Sequence, residues 1–176
     1  SDIYAMMNPK KHPFYDHSEA DFFLAMDDER IVGRIAALMN KPFNAYHQST
    51  DAEFYLFDLI DNQEVANALL DRAAEWARER GMTKIVGPKG FGPLDGYGIQ
   101  IEGHEHRQMM NMMNYNFPYY RELAETYGFE KEVDFVSTYL QREKVQLPEK
   151  AQLVVAKVYE RGTFTVKNFE SKSELK

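Results

Sequence analysis

The chain has 176 residues, 44% of them hydrophobic, with a formal net charge of −7 and a pI near 5.3; that is length for one full domain plus a spare segment, and the lysines and arginines are too dispersed among acids to form the basic face that nucleic acid requires. No apolar run approaches the roughly 20 residues that cross a bilayer, and the opening SDIYAMMNPKK lacks the apolar core of a secretory signal, so the expectation is a soluble protein with neither a membrane nor a nucleic-acid partner. With no cysteine there is no disulfide, thiolate nucleophile or cysteine-bound metal, which fits a cytoplasmic location.

Residues 1–20 are polar and interrupted by proline, and Lys10, Lys11, Pro13 and Asp16 read as an extended lead-in or loop. Phe22 to Met26 and Ile31 to Met39 are two apolar runs around the polar turn Asp27-Asp28-Glu29-Arg30, the pattern of a β-hairpin. Asn40 to Ser49 reads as a loop, and Ala52 to Ile60 is aromatic and aliphatic enough for a buried strand.

From Gln63 to Arg80 the residues Val65, Ala66, Leu69, Leu70, Ala73, Ala74 and Trp76 recur at helical spacing, with Asp71, Arg72, Glu75, Arg78 and Glu79 on the other face. Asp61 is the expected N-cap, with Glu64 three residues on as its capping-box partner and Gly81 as the left-handed stop. Met82 to Gly87 then reads as a short strand parallel to the one before the helix. Residues 87–106 hold six glycines and two prolines, too dense for a regular element, and their position after a parallel strand suits the lining of a cleft.

Arg107 to Met113 is a Met-rich run compatible with a strand, and Met109 to Tyr120 combines soft apolar and amide side chains suited either to an adaptable core or to an amphipathic pocket. Pro118 to Tyr127 reads as a short helix stopped by Gly128, and Val133 to Leu140 alternates like a strand. A charged connection from Gln141 to Lys150 leads to an amphipathic helix near Ala151–Glu160 and a strand-like Thr163–Val166. In Glu102-Gly103-His104-Glu105-His106 two imidazoles stand two apart beside acids, but spacing supplies no third metal ligand, and a solvated loop is expected there.

This order of hairpin, core strand, long helix, strand and short helix resembles the acyl-CoA N-acyltransferase (GNAT) superfamily. Ala68-Leu69-Leu70-Asp71-Arg72-Ala73-Ala74-Glu75-Trp76 through Met82 looks like that family's main helix, and Tyr119 to Glu130, with Gly128-Phe129, like its last helix and GF turn; the resemblance covers Asp21 to Gln141. It implies an α+β fold, three-layer-like, with a mixed sheet flanked by helices, and a transfer of an acetyl or longer acyl group from acetyl-CoA or another acyl-CoA to a small-molecule amine. It also implies a division into a lead-in (1–20), a GNAT-like domain (21–141) whose front looks truncated, and a linker (142–176) that opens a second element or domain. In that layout the chain resembles one half of larger bacterial proteins carrying two GNAT-like halves, and the expected partner is the other half or another copy.

The resemblance also places a site. The cofactor turn falls at residues 61–66, making Leu59, Ile60, Asn62, Gln63, Val65 and Ala66 the cofactor-binding candidates. Asp61 and Glu64 depart from the family pattern there: they bring carboxylates to a helix start whose amides would otherwise hold a pyrophosphate. The acid position four residues before Gly128 is Ala124, leaving Tyr120 and Tyr127 as acid candidates, and Glu53 or Asp58 as a base on the core strand. Two functional readings follow: an N-acyltransferase cleft, or a non-catalytic module that pairs with a competent half or holds a small ligand.

Overall fold

The computed structural model describes residues 2–92, 94–106, 114–138 and 141–175. Among these residues it is a mixed α+β structure with a four-stranded sheet flanked by helices. The Met-rich run at 107–113, read above as a strand, lies outside the described residues.

Strands β1 (Glu19–Asp27) and β2 (Arg30–Met39) form the hairpin, β3 (Asp51–Leu59) lies antiparallel to β2, and β4 (Lys84–Val86) lies parallel to β3, in the order β1-β2-β3-β4. Helix α3 (Gln63–Glu79) crosses from β3 to β4. The two faces of the sheet separate by alternation. Ile35, Ala37, Met39, Ala52, Phe54, Phe57 and Leu59 pack with Leu69, Leu70, Ala73 and Trp76 of α3 and with Leu123 of α4 (Tyr119–Tyr127). On the other face Leu38 is buried with Phe14 and Phe91, and Phe22 and Tyr55 pack against them.

Several local expectations differ from what forms. The lead-in is not simply extended: it holds α1 (Asp2–Met6) and a 3-10 turn (Pro13–Asp16) that buries Phe14, whose ring stacks on Phe91 with centroids 4.4 Å apart. Apolar burial, invisible to a reading that weighed the prolines and lysines, holds it down. Residues 40–49 contain α2 (Lys41–His47), because the Asn40 side chain accepts from Phe43 N–H at 3.1 Å and proline is tolerated in a first turn.

Helix α3 starts at Gln63, as its period predicts, but its cap is Asn62 and not Asp61. Asn62, in an extended conformation, accepts from the N–H groups of Glu64 and Val65 at 2.8 and 3.2 Å. With Asn62 as cap, Val65 stands at the third helical position, so the Asp61–Glu64 capping box cannot close. The C-terminal end follows expectation, with Gly81 at φ 73° and Met82 N–H bonded to the Ala77 carbonyl.

The chain divides into two compact units, Ser1–Asp134 and Phe135–Lys176. The described part of the expected strand at 133–140 is irregular, with Val133, Phe135 and Val136 exposed; alternation forms a strand only where an edge accepts it. The second unit contains α5 (Glu149–Arg161), stopped by Gly162 in the left-handed region, as the amphipathic pattern led us to expect. Thr163–Val166 is irregular there rather than strand-like. Among the described residues no helix is long and apolar enough to cross a membrane.

Candidate functional site

Among the described residues, the site forms where β3 no longer pairs with β4. Strand β4 pairs with β3 only at Asp51–Glu53, and one further bond, Lys89 N–H to the Phe54 carbonyl at 2.8 Å, extends the contact. Beyond that point the two segments make no further backbone pairs among the described residues. On the β2 side the register runs from Ala36–Tyr55 to Arg34–Asp58, so Leu56 and Phe57 both oppose Ile35 and make a bulge, with Leu56 held at φ 50°. The bulge keeps Phe57 and Leu59 in the α3 core and sends Asp58 to the opposite, open face.

The free edge of β3 is met by the first turn of α4. Leu59 donates its N–H to the Tyr120 hydroxyl at 3.1 Å, and the Tyr119 hydroxyl donates to the Leu59 carbonyl at 2.8 Å. Two phenols thus satisfy backbone groups that a fifth strand would have paired. The Tyr120 hydroxyl in turn donates to Asp58 Oδ1 at 2.7 Å, and Arg34 holds Asp58 Oδ2 at 3.3 Å. Burial, with Asp58 alongside, pushes the Tyr120 phenol well above its ordinary value.

These groups wall a cavity of about 260 Å³ whose lining includes Arg34, Tyr55, Asp58, Gly98, Asn116 and Tyr120. The opposite wall is stapled by amides: the buried Asn116 side chain accepts from Gln100 N–H at 2.7 Å and donates to its carbonyl at 3.1 Å, as a strand neighbour would, and Asn114 donates to the Gly98 carbonyl at 3.0 Å. Glycine loop and asparagine run are bonded to each other as one wall of the cleft, with Asp58 and Tyr120 on the other.

Of the sequence-derived candidates, Tyr120 and Asp58 line this cavity, and Glu53 and Tyr127 do not. Glu53 is 2% exposed and ion-paired to Lys89, whose ammonium also lies 3.9 Å from the Phe43 ring centroid. Burial raises the Glu53 carboxyl above its usual range, and its Oε2 has no partner among the described residues. The Tyr127 hydroxyl donates to Asp71 of α3 at 2.8 Å and, mainly by burial, is pushed up to about 12.

The cofactor candidates are engaged within the protein. Leu59 is bonded by the two tyrosines, Ile60 N–H donates to the Val32 carbonyl, and Asn62 caps α3. The Gln63 side chain spans from Asn67 to the Leu123 carbonyl, Ala66 is fully buried, and Val65 flanks Gly33 in the sheet. With the amides of Glu64 and Val65 already given to Asn62, and Asp61 and Glu64 exposed beside them, the start of α3 does not fit the pyrophosphate of an acyl-CoA. In the 102–106 loop His106 pairs with Glu105 at 3.2 Å, and no group of three metal-ligating side chains occurs among the described residues.

Two curated proteins align with this chain. One, from Caulobacter vibrioides, is named a bacterial ceramide synthase and is 31% identical over 147 residues, 83% of this chain and 38% of its own length. The other, protein YghO of Escherichia coli, is 30% identical over 132 residues, 75% of this chain and 34% of its own. The chain therefore spans little more than a third of the length of these relatives. No protein-family model matches it, and no solved structure does.

Sequence reasoning missed Arg34 and the junction of Asp58 with Tyr120. Arg34 interrupts the apolar run Ile31 to Met39 and shares its parity with Ala36 and Leu38, a signal for which face it takes. The bulge that aims Asp58 carries no mark in Phe54-Tyr55-Leu56-Phe57.

Proposed function

We propose that this chain supplies the acyl-transfer cleft of a GNAT-like N-acyltransferase, an enzyme that forms an amide from an acyl donor and an amine. One observation carries the reading: β3 parts from the chain after β4 at a bulge, and the gap holds a carboxylate, Asp58, coupled to a phenol, Tyr120. The similarity to a protein named for ceramide synthesis supports it, because a ceramide is an N-acylated amine.

In this reading Asp58 receives the amine. Its carboxylate has about four lone-pair sites, of which Tyr120 and Arg34 take two, so the remainder are available to an N–H donor. As the nitrogen attacks the acyl carbon it becomes acidic, and Asp58 stands ready to accept its proton. Tyr120 serves as a fixed hydrogen-bond donor rather than a proton source: with its phenol shifted upward it is a far weaker acid than the thiol, near about 8.5, that a departing thiolate would become. It keeps Asp58 oriented, and Tyr119 and Tyr120 together seal the β3 edge against water. An acyl-CoA tail is not anchored at residues 61–66 in this proposal.

The test is direct. The purified chain is incubated with an acyl thioester and a primary amine, and amide product is followed by mass spectrometry. Product is expected, with Asp58→Asn lowering its rate by about 10²-fold or more, the typical share of a positioned base. No amide from any amine, or a rate indifferent to both Asp58→Asn and Tyr120→Phe, would overturn the reading.

A further inference from the structure

The cavity beside β3 carries two opposite charges with bonding capacity to spare. Much of its other polar lining is spent on the protein: Tyr55 donates its hydroxyl to the Asp95 carbonyl, the Asn116 amide bonds both backbone groups of Gln100, and Tyr120 donates to Asp58. Arg34 and Asp58 differ from these. They meet through one contact, Nη2 to Oδ2 at 3.3 Å, and their side chains are 44% and 60% exposed. The Arg34 Nε is buried without a hydrogen-bond partner among the described residues, an uncommon state for a buried donor and one that calls for an acceptor from outside.

We propose that this cavity seats an α-amino acid, with its carboxylate on Arg34 and its ammonium on Asp58. The proposal rests on the acyl-transfer reading and names the acceptor class for the same cleft.

Charge pattern is the first argument. Arg34 and Asp58 stand side by side, and an α-amino acid carries its ammonium and its carboxylate on a single carbon, so one small molecule meets both and closes a ring of alternating charges. A simple amine would leave the Arg34 donors unmet, and a simple carboxylate would leave the spare lone pairs of Asp58 unmet and be repelled by its charge. The shape of the guanidinium is the second. Its planar fork holds five donors, of which Asp58 uses one, so a second carboxylate can bind without breaking the first contact. Size is the third. A cavity of about 260 Å³ lies just below the roughly 300 to 1,000 Å³ that drug-sized ligands fill, which suits a compact molecule. Pro88 and Ile99 add apolar surface to the lining, and that favours an aliphatic side chain over a third charge.

Calorimetric titration of the intact chain at neutral pH tests this, with valine, with isobutylamine, which is valine without its carboxylate, and with isovalerate, which is valine without its amine. Valine is expected to bind at least about tenfold tighter than either fragment, the effect of one charge-assisted hydrogen bond. Arg34→Gln should bring valine down to about the affinity of isobutylamine. Asp58→Asn should weaken valine by a similar factor while isovalerate binds no less tightly than before. Circular dichroism verifies that both variants are folded, and the comparison of the three ligands on the unaltered chain stands without them. Equal affinity for valine and either fragment, no heat from valine, alanine or leucine, or an unchanged valine affinity in either folded variant overturns the seat. The acyl-transfer reading fails separately: if the binding pattern holds but no amide forms from any amine, that reading falls, whereas amide formation from isobutylamine as fast as from valine sinks only the amino-acid seat.

Discussion

Strand β3 carries Glu53 near its start and Asp58 near its end on the same face of the sheet, and the protein treats these two carboxylates in opposite ways. Around Glu53 the strand is covered: β4 pairs with it, Lys89 meets its carboxylate, and a Cβ placed on Gly87 would come within 2.5 Å of the Phe54 carbonyl. Around Asp58 no strand pairs with this edge of β3 among the described residues, the side chain is 60% exposed, and Gly98 on the facing wall has nothing within 4 Å of where a Cβ would stand. A buried charge must be matched locally or it destabilises the fold, while an exposed one keeps hydrogen-bonding capacity to spare. The same residue chemistry is therefore structural at one end of a strand and available to a ligand at the other.

The largest test of that contrast is Lys89→Met. It leaves Glu53 charged and unpaired in the interior, and removing one partner of a buried pair typically costs about 3–5 kcal/mol. Urea unfolding of the variant should show that loss, and adding Glu53→Gln should recover much of it. A loss under about 1 kcal/mol, the range of exposed pairs, would mean that water reaches Glu53 and that the two ends of β3 are alike.

Next in size is Tyr120→Phe. It leaves the Leu59 N–H without its partner at a buried position, for about 1–3 kcal/mol, and frees Asp58 Oδ1. Stability measured by denaturant and amide formation measured in parallel should both fall. Asp58→Asn should instead reduce activity with little change in stability, and the separation of the two readouts is what marks the open end as the working one.

Much of this frame is legible in the sequence. The hairpin, α3 and α4 each have the apolar period that their packing requires, and Gly81 and Gly128 sit where left-handed caps are needed. The failures have local causes. Asp61 and Asn62 are both good caps, and only the backbone decides between them. Asn40 and Pro42 looked like loop residues although they also satisfy a helix start. Glu53 reads like any strand carboxylate because its partner, Lys89, reaches it from the loop after β4. Pro88, Gly98 and Ile99 of the glycine loop line the cavity, but the phenols that cap the β3 edge follow from a packing of α4 that no spacing announces.

A pH series sharpens the comparison without touching the packing. The folded-state pKa of Glu53 lies above its ordinary 4.5, so the folded protein holds that proton more strongly than the unfolded chain does. Its contribution is fully present below the unfolded value and is lost as pH rises through the folded one. Wild-type stability relative to Glu53→Gln should therefore decline as pH rises upward from about 4.5, with a slope of no more than about 1.4 kcal/mol per unit for one proton. A flat difference between the two proteins would remove burial as the feature that distinguishes Glu53 from Asp58.

The smallest effect belongs to Arg34→Gln. The Arg34 guanidinium pairs with Asp58 at 3.3 Å where both side chains are substantially exposed, a setting in which an ion pair contributes about 0–1 kcal/mol. Thermal unfolding should hardly move. Binding of an ammonium ligand should improve, because glutamine carries no charge and the second Asp58 oxygen loses its cationic competitor; an anionic ligand should bind no better than before. The pair then acts at the mouth of the cleft as a brake on the affinity of Asp58 for cations, whereas Lys89 acts on Glu53 as a condition of folding. Strong destabilisation by Arg34→Gln would place both salt bridges in one class and erase the difference in kind between the ends of β3.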